Sequence, residues 1–98
     1  IDGAQFFPNL KDFTSMCLFL KKTVLIAGLD GTFKQQKFGE ILDCIPMADS
    51  VTKLSALCMD CGDGTPGPFT KRITDTDEVE LIGGNEMYKA VCRHHLMF

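Results

Sequence analysis

Four side chains able to bind a metal occur in two pairs with the same gap. Cys58 and Cys61 close the stretch LCMDC, and Cys92 and His95 lie within VCRHHLMF. Two such pairs on separate chain segments can supply four tetrahedral ligands to one zinc, as in ribbon-like structural sites. Zinc suits the set because it accepts soft thiolates and imidazole without redox chemistry. With all four positions filled by protein, none is left for a catalytic water, so the expected role is structural. His94 is a rival fourth ligand, although the two-residue gap favours His95. A redox pair is another reading of Cys58 and Cys61, but that motif usually opens a helix after a strand, a setting absent here. Chance clustering of core cysteines with surface histidines is the third reading. Cys17 and Cys44 fall on apolar faces and read as small core residues.

Positioning these ligands requires particular elements. Leu10, Phe13, Met16, Cys17 and Leu20 recur at three- and four-residue intervals, predicting a helix with Asn9 as its N-cap. TVLIAGL, residues 23–29, is short, apolar and rich in β-branched residues, as a strand buried on both faces of a parallel sheet would be. DGTF turns sharply, and Phe38, Ile41, Leu42 and Ile45 predict a second helix ending before Pro46. This order is α/β, and it begins as though earlier strands of the sheet precede it. Beyond Val51, VTKLSALCMDC is strand-like up to the cysteines, GDGTPGP reads as a flexible loop tip, and EVELIGG alternates like a half-exposed strand. The expected division is an α/β portion over residues 1–50 and a small β-rich portion over 51–98. A zinc tie between residues 61 and 92 would clamp the base of a long loop and so shape a binding site.

Composition sets outer bounds. Ninety-eight residues with 45% hydrophobic side chains suit one small domain. A chain of this size buries only about 60–65% of its unfolded surface, so a metal staple would help. The net charge of −3 and the lack of basic runs argue against a nucleic-acid partner. Apolar runs such as VLIA fall far short of the roughly 20 residues a membrane span needs, so no membrane partner is expected. Five cysteines, an odd number, fit an intracellular metal protein better than a secreted disulfide framework. Opening on Ile1, the chain reads as a piece of something longer.

The motifs IDGAQFFP, LDGTF, FGEIL, KLSALCMDC, TKR and EVELIGGNEMYKAVCR follow one another in this order. Together they resemble the C-terminal half of the cytosolic thymidine kinase class of vertebrates, poxviruses and many bacteria, over essentially all 98 residues. The resemblance implies an α/β fold: part of a P-loop kinase parallel sheet, followed by a small β-rich zinc domain carrying a lasso loop over the nucleoside. It implies transfer of the γ-phosphoryl of ATP to the 5′-hydroxyl of thymidine with Mg²⁺, in a cytoplasmic enzyme that assembles as a tetramer. Asp2 matches the acidic residue that assists Mg²⁺, and Gln5 a residue beside the sugar. Phe6, Leu29, Phe33 and Phe38 match apolar residues enclosing the base; the residues alone would suggest plain core packing for them. Thr70 and Val79, Glu80, Leu81, Ile82 and Gly83 match the lasso, which reads thymine mainly through main-chain groups, and Tyr88 matches a residue near the sugar.

Two departures limit the carry-over. The family reads Asp-Glu-x-Gln where this chain has Asp2-Gly3-Ala4-Gln5, and Gly3 cannot replace the glutamate expected as base. A P-loop, Gly-x-x-x-x-Gly-Lys-Ser/Thr, is not found in these residues. His95 also stands where the family has a fourth cysteine, and GDGTPGP lengthens the loop after Cys61 by about two residues. The chain by itself is therefore expected to be inactive. The alternative to a kinase is a degenerate, zinc-stabilised binding or interaction module.

Overall fold

A computed structural model describes residues 1–73 and 87–98. The chain divides into two compact units, one of Ile1–Thr32 with Gln36–Thr52, the other of Phe33–Gln35 with Lys53–Phe98.

In the first unit the helix α1 spans Leu10–Phe19. Asn9 is its N-cap, in the left-handed region at φ 55°, a conformation asparagine tolerates better than most residues. Its side chain makes no capping bond. The carboxylate of Glu40 accepts from the Lys11 N–H instead, at 3.0 Å, so the cap comes from 29 residues away. At the other end Lys21 takes a left-handed conformation at φ 61°. The Lys22 N–H then reaches the Cys17 carbonyl and the Lys21 N–H that of Leu18, both at 2.9 Å, closing a Schellman motif.

The face that α1 buries differs from the expected stripe. Leu10 and Thr14 are buried, Cys17 is half-buried, and Phe13, Met16 and Leu20 are exposed, Met16 by 64%. The core is Ala4, Leu10 and Cys44, with Phe7, Ile26, Ile41 and Met47 packed against it. Burial pushes the Cys44 thiol above its ordinary value, and the neighbouring Thr14 partly offsets this. The Thr14 hydroxyl is buried without a hydrogen-bond partner among the described residues.

Residues 23–29 do not form the predicted strand. The Ile1 amino group bonds the Leu25 carbonyl and the Ala27 N–H bonds the Ile1 carbonyl, the exchange of a parallel ladder. The ladder does not continue, because the next bond runs from the Ala4 N–H to Ala27 at 3.0 Å, where the chain is already turning into a 3₁₀ segment, Ala4–Phe6. Leu25 is 79% exposed, so this segment is not buried on both faces. Among the described residues the sheets are two antiparallel pairs, and the expected parallel sheet is not among them. The turn over DGTF is present: the Phe38 N–H bonds Asp30 and Gly31 bridges Lys37. The second helix is a 3₁₀ segment, Leu42–Met47, running through Pro46 instead of ending before it. Its bonds join residues three apart, as from the Cys44 N–H to Ile41, a tighter winding usual for short pieces.

The second unit is built from short strands. β1, Ala56–Leu57, pairs with β2, Pro66–Gly67; β3, Phe69–Arg72, pairs with β4, Tyr88–Val91, and both pairs are antiparallel. Only two residues of the predicted VTKLSALCMDC strand are in a ladder, and the supposedly flexible GDGTPGP contributes β2. A five-residue helix α2, Arg93–Met97, follows β4 directly. Val91 is fully buried and Cys58 nearly so. EVELIGG lies outside the described residues. No described helix is long and apolar enough to cross a membrane.

The uneven burial along α1 makes a direct test. Leu10→Ala should destabilise the protein by about 2–5 kcal/mol, whereas Met16→Ala should cost less than about 1 kcal/mol. Urea unfolding of the two variants measures both, and equal losses would mean that the stripe is buried as a whole.

Candidate metal centre

β1 delivers Cys58 into a tight turn. The Cys58 N–H bonds the Thr65 carbonyl at 2.7 Å, and the Cys61 N–H points at the Cys58 sulfur at 3.4 Å. The Met59 N–H donates to Ala90 at 2.8 Å, fastening this turn to β4. On the other side β4 ends at Cys92, which is the N-cap of α2. Cys92 and His95 are three apart at the start of that helix and therefore share a face. Close packing leaves no spare room behind Cys58: a Cβ built on Gly67 would lie 2.8 Å from its Cα and its nitrogen.

The two pairs meet. Sγ of Cys58, Cys61 and Cys92 and a ring nitrogen of His95 all lie within 4.8 Å of one another. His95 Nδ1 is 3.6 Å from Cys58 Sγ, 3.4 Å from Cys61 Sγ and 3.3 Å from Cys92 Sγ; Cys61 and Cys92 sulfurs are 3.7 Å apart. A tetrahedron built on Zn–S and Zn–N bonds of about 2.3 and 2.0 Å has edges of about 3.8 Å between sulfurs and about 3.5 Å between sulfur and nitrogen. The four separations given match these edges closely, and the group could hold a metal ion of that size. His94 is outside it, exposed, with its ring edge-on to that of His95 at 5.2 Å and tilted against Phe98 at 5.3 Å.

Charge within the cluster is unevenly held. Burial opposes ionisation of Cys58, but main-chain N–H groups of Cys92, Cys61 and Asp60 outweigh it and bring the thiol down to about 6. Burial, reinforced by the neighbouring Cys58 and Cys92, pushes Cys61 up to about 12. The His95 N–H lowers Cys92, and bonds to Cys92 and Cys58 raise the imidazole of His95. A bound dication would displace the protons still on Cys61 and His95. Two cations brace the rim: Lys89 pairs with Asp60 at 2.7 Å, holding that carboxyl below its ordinary value, and Lys71 donates to the His95 carbonyl at 3.0 Å. Nothing in the spacing of the ligands had pointed to either lysine.

The other candidate residues fall into separate groups. In the first unit Asp2 is exposed and accepts the Gly3 N–H at 2.9 Å. Gln5 Oε1 accepts the Leu29 N–H at 3.1 Å, so this side chain holds the backbone of another candidate. Phe6, partly exposed, stands edge-on to buried Phe38 with ring centres 5.3 Å apart. In the second unit Phe33 and Tyr88 are half-buried, and Thr70 lies opposite Ala90 on the β3–β4 ladder. Val79, Glu80, Leu81, Ile82 and Gly83 lie outside the described residues.

A sequence model of the family described as thymidine kinase matches residues 1–96. The thymidine kinase of Rabbit fibroma virus is 45% identical over 98 residues, which is all of this chain and 54% of that protein. The human cytosolic thymidine kinase is 46% identical over 93 residues, 95% of this chain and 39% of that protein. The thymidine kinase of vaccinia virus is 44% identical over 93 residues, 51% of its length. The chain thus spans about half or less of the curated relatives it matches.

The close approach at Gly67 predicts a selective defect. Gly67→Ala should shift Cys58 and make a bound metal markedly easier to remove with a chelator. Met59→Ala, an exposed side chain in the same turn, should leave metal retention unchanged. Chelator competition followed by absorbance reads both; equal retention would mean that Cys58 does not depend on this packing.

Proposed function

The chain belongs to the thymidine kinase family, and on that premise we propose that its parent protein transfers the γ-phosphoryl of ATP to thymidine, making thymidine monophosphate for DNA synthesis in the cytoplasm. The match over residues 1–96 carries this reading. The cluster of Cys58, Cys61, Cys92 and His95 is proposed to hold zinc, supported by its donor set and its edge lengths. With four protein ligands this zinc is structural, joining the turn after β1 to the end of β4 and so fixing both ends of residues 62–91. Those residues include Thr70 and the strand 79–83, proposed to contact thymine chiefly through main-chain groups, and Tyr88, proposed to pack near the sugar. Gln5, Phe6, Leu29, Phe33 and Phe38 are proposed as further nucleoside contacts. Asp2 is proposed to assist Mg²⁺, which would neutralise charge on the phosphates. A homotetramer is the proposed assembly.

Gly3 favours a second reading, a zinc-stabilised binding module without catalysis. The residue is left-handed at φ 65°, a conformation easy for glycine and costly by about 1 kcal/mol for others. An added Cβ would meet nothing within 4 Å. A glutamate is thus sterically possible at position 3, at the expense of some backbone strain, yet the chain offers a hydrogen there. No proton acceptor for the 5′-hydroxyl comes from this position, and the 98 residues alone are proposed to be inactive.

Two measurements test this. The purified chain should contain about one zinc, lost on Cys58→Ser or Cys92→Ser, and chelation should weaken thymidine binding measured by titration. Equal thymidine affinity with and without chelator would show that zinc does not shape the site. In a longer form containing the ATP-binding segment, Gly3→Glu should raise turnover by about 10²-fold or more, and an unchanged rate would place the base elsewhere.

A further inference from the structure

Arg72 ends β3 and faces Tyr88 directly across the β3–β4 ladder. Its guanidinium carbon lies 5.6 Å from the centre of the Tyr88 ring and 5.0 Å from that of Phe33. All three side chains belong to the second unit and are half-buried. Lys34 also approaches Phe33, at 5.7 Å, but among the cations described Arg72 is the one placed within this distance of both rings. A planar, permanently charged guanidinium is attracted to the negative faces of aromatic rings, and partial burial strengthens that attraction. Shared between two rings, it fixes the distance and tilt of one relative to the other. Lysine, a compact and strongly hydrated charge, cannot stack on two faces in this way.

We propose that Arg72 is a positioning residue for nucleoside binding: it clamps the rings of Phe33 and Tyr88 so that an aromatic wall is in place before thymidine arrives. The inference rests on the proposed nucleoside site, since it takes Phe33 and Tyr88 as part of that wall. Pre-setting the rings removes an ordering cost that binding would otherwise meet, so losing the clamp should weaken affinity without removing any group that touches the reacting atoms. Arg72 acts through the rings and has no direct part in phosphoryl transfer.

The chain has a single tyrosine and no tryptophan, so its tyrosine emission reports Tyr88 alone. Arg72→Met keeps length and apolar contact while deleting the charge, and Arg72→Lys restores the charge without the planar fork. In Arg72→Met, acrylamide quenching of Tyr88 should rise about twofold and the Kd for thymidine about tenfold, with zinc content unchanged. Arg72→Lys should recover part of both. Unaltered quenching and Kd in Arg72→Met would overturn the proposal, as would a changed Kd with unaltered quenching. Should Arg72→Met lose its zinc and fail to fold, Arg72→Gln decides by the same readings. Absence of thymidine binding by the unmutated chain would overturn the nucleoside site itself, and the quenching result would then decide the clamp separately.

Discussion

Three thiols and an imidazole held within 4.8 Å cannot all present lone pairs to one another. Ionisation is favoured at Cys58 and Cys92, while Cys61 is driven up to about 12 and His95 is raised. The cluster is therefore a compromise that a dication would resolve, accepting all four donors at once. The second unit depends on this point. Among its described residues the strands are two and four residues long, and Val91 and Cys58 are the nearly or fully buried apolar ones. Ladders so short contribute little by themselves, and a metal tie between Cys58, Cys61 and the Cys92–His95 pair would add what they lack.

The first unit is held by other means. Leu10, Ala4 and Cys44 form a small apolar centre, and the ends of α1 are closed by Glu40 at one side and a Schellman turn at the other. Both closures join groups that the helical pattern leaves unbonded. Much apolar surface nevertheless stays outside, including Phe19 and Leu25. Burial in this unit gathers near the N-terminal turn of α1, with Thr14 beside it, and again at Phe38 and Thr32.

How much of this could be read from the residues follows from the range of each interaction. The ligand pairs were legible because a two-residue gap is a local property: a tight turn or a helical turn places such residues side by side whatever surrounds them. The resemblance was legible for a similar reason, since ordered motifs survive without knowledge of packing. The strand over 23–29 was misread because apolar, β-branched composition shows only that a segment could enter a sheet. Its ladder with Ile1 stops where Ala4 turns away. The face of α1 was misread because a polar residue, Thr14, is turned inward with Leu10 while Phe13 and Met16 stay outside, and Asn9 marked the right cap position while Glu40 supplied the bond. Pro46 suggested a helix end, yet a 3₁₀ winding accommodates it. Arg72 escaped notice because its partners, Phe33 and Tyr88, are distant in sequence and a cation over a ring has no spacing rule.

A centre with four protein ligands and a position 3 without a carboxylate divide the proposed function into two parts. A metal held by all four of these ligands would have no open site for water or phosphate, so whatever it contributed would be geometric. Proton transfer from a hydroxyl needs an acceptor within hydrogen-bond reach, and a glycine has no side-chain atom to provide one. Shape and base are therefore independent requirements, lodged in different units of the chain. The second unit contains the means for shape in the Cys58–His95 cluster and in the rings gathered by Arg72. The first unit retains Asp2 and Gln5 around an open left-handed Gly3. A sequence can thus preserve the elements that would order a nucleoside while lacking, at one position, the group that would activate it.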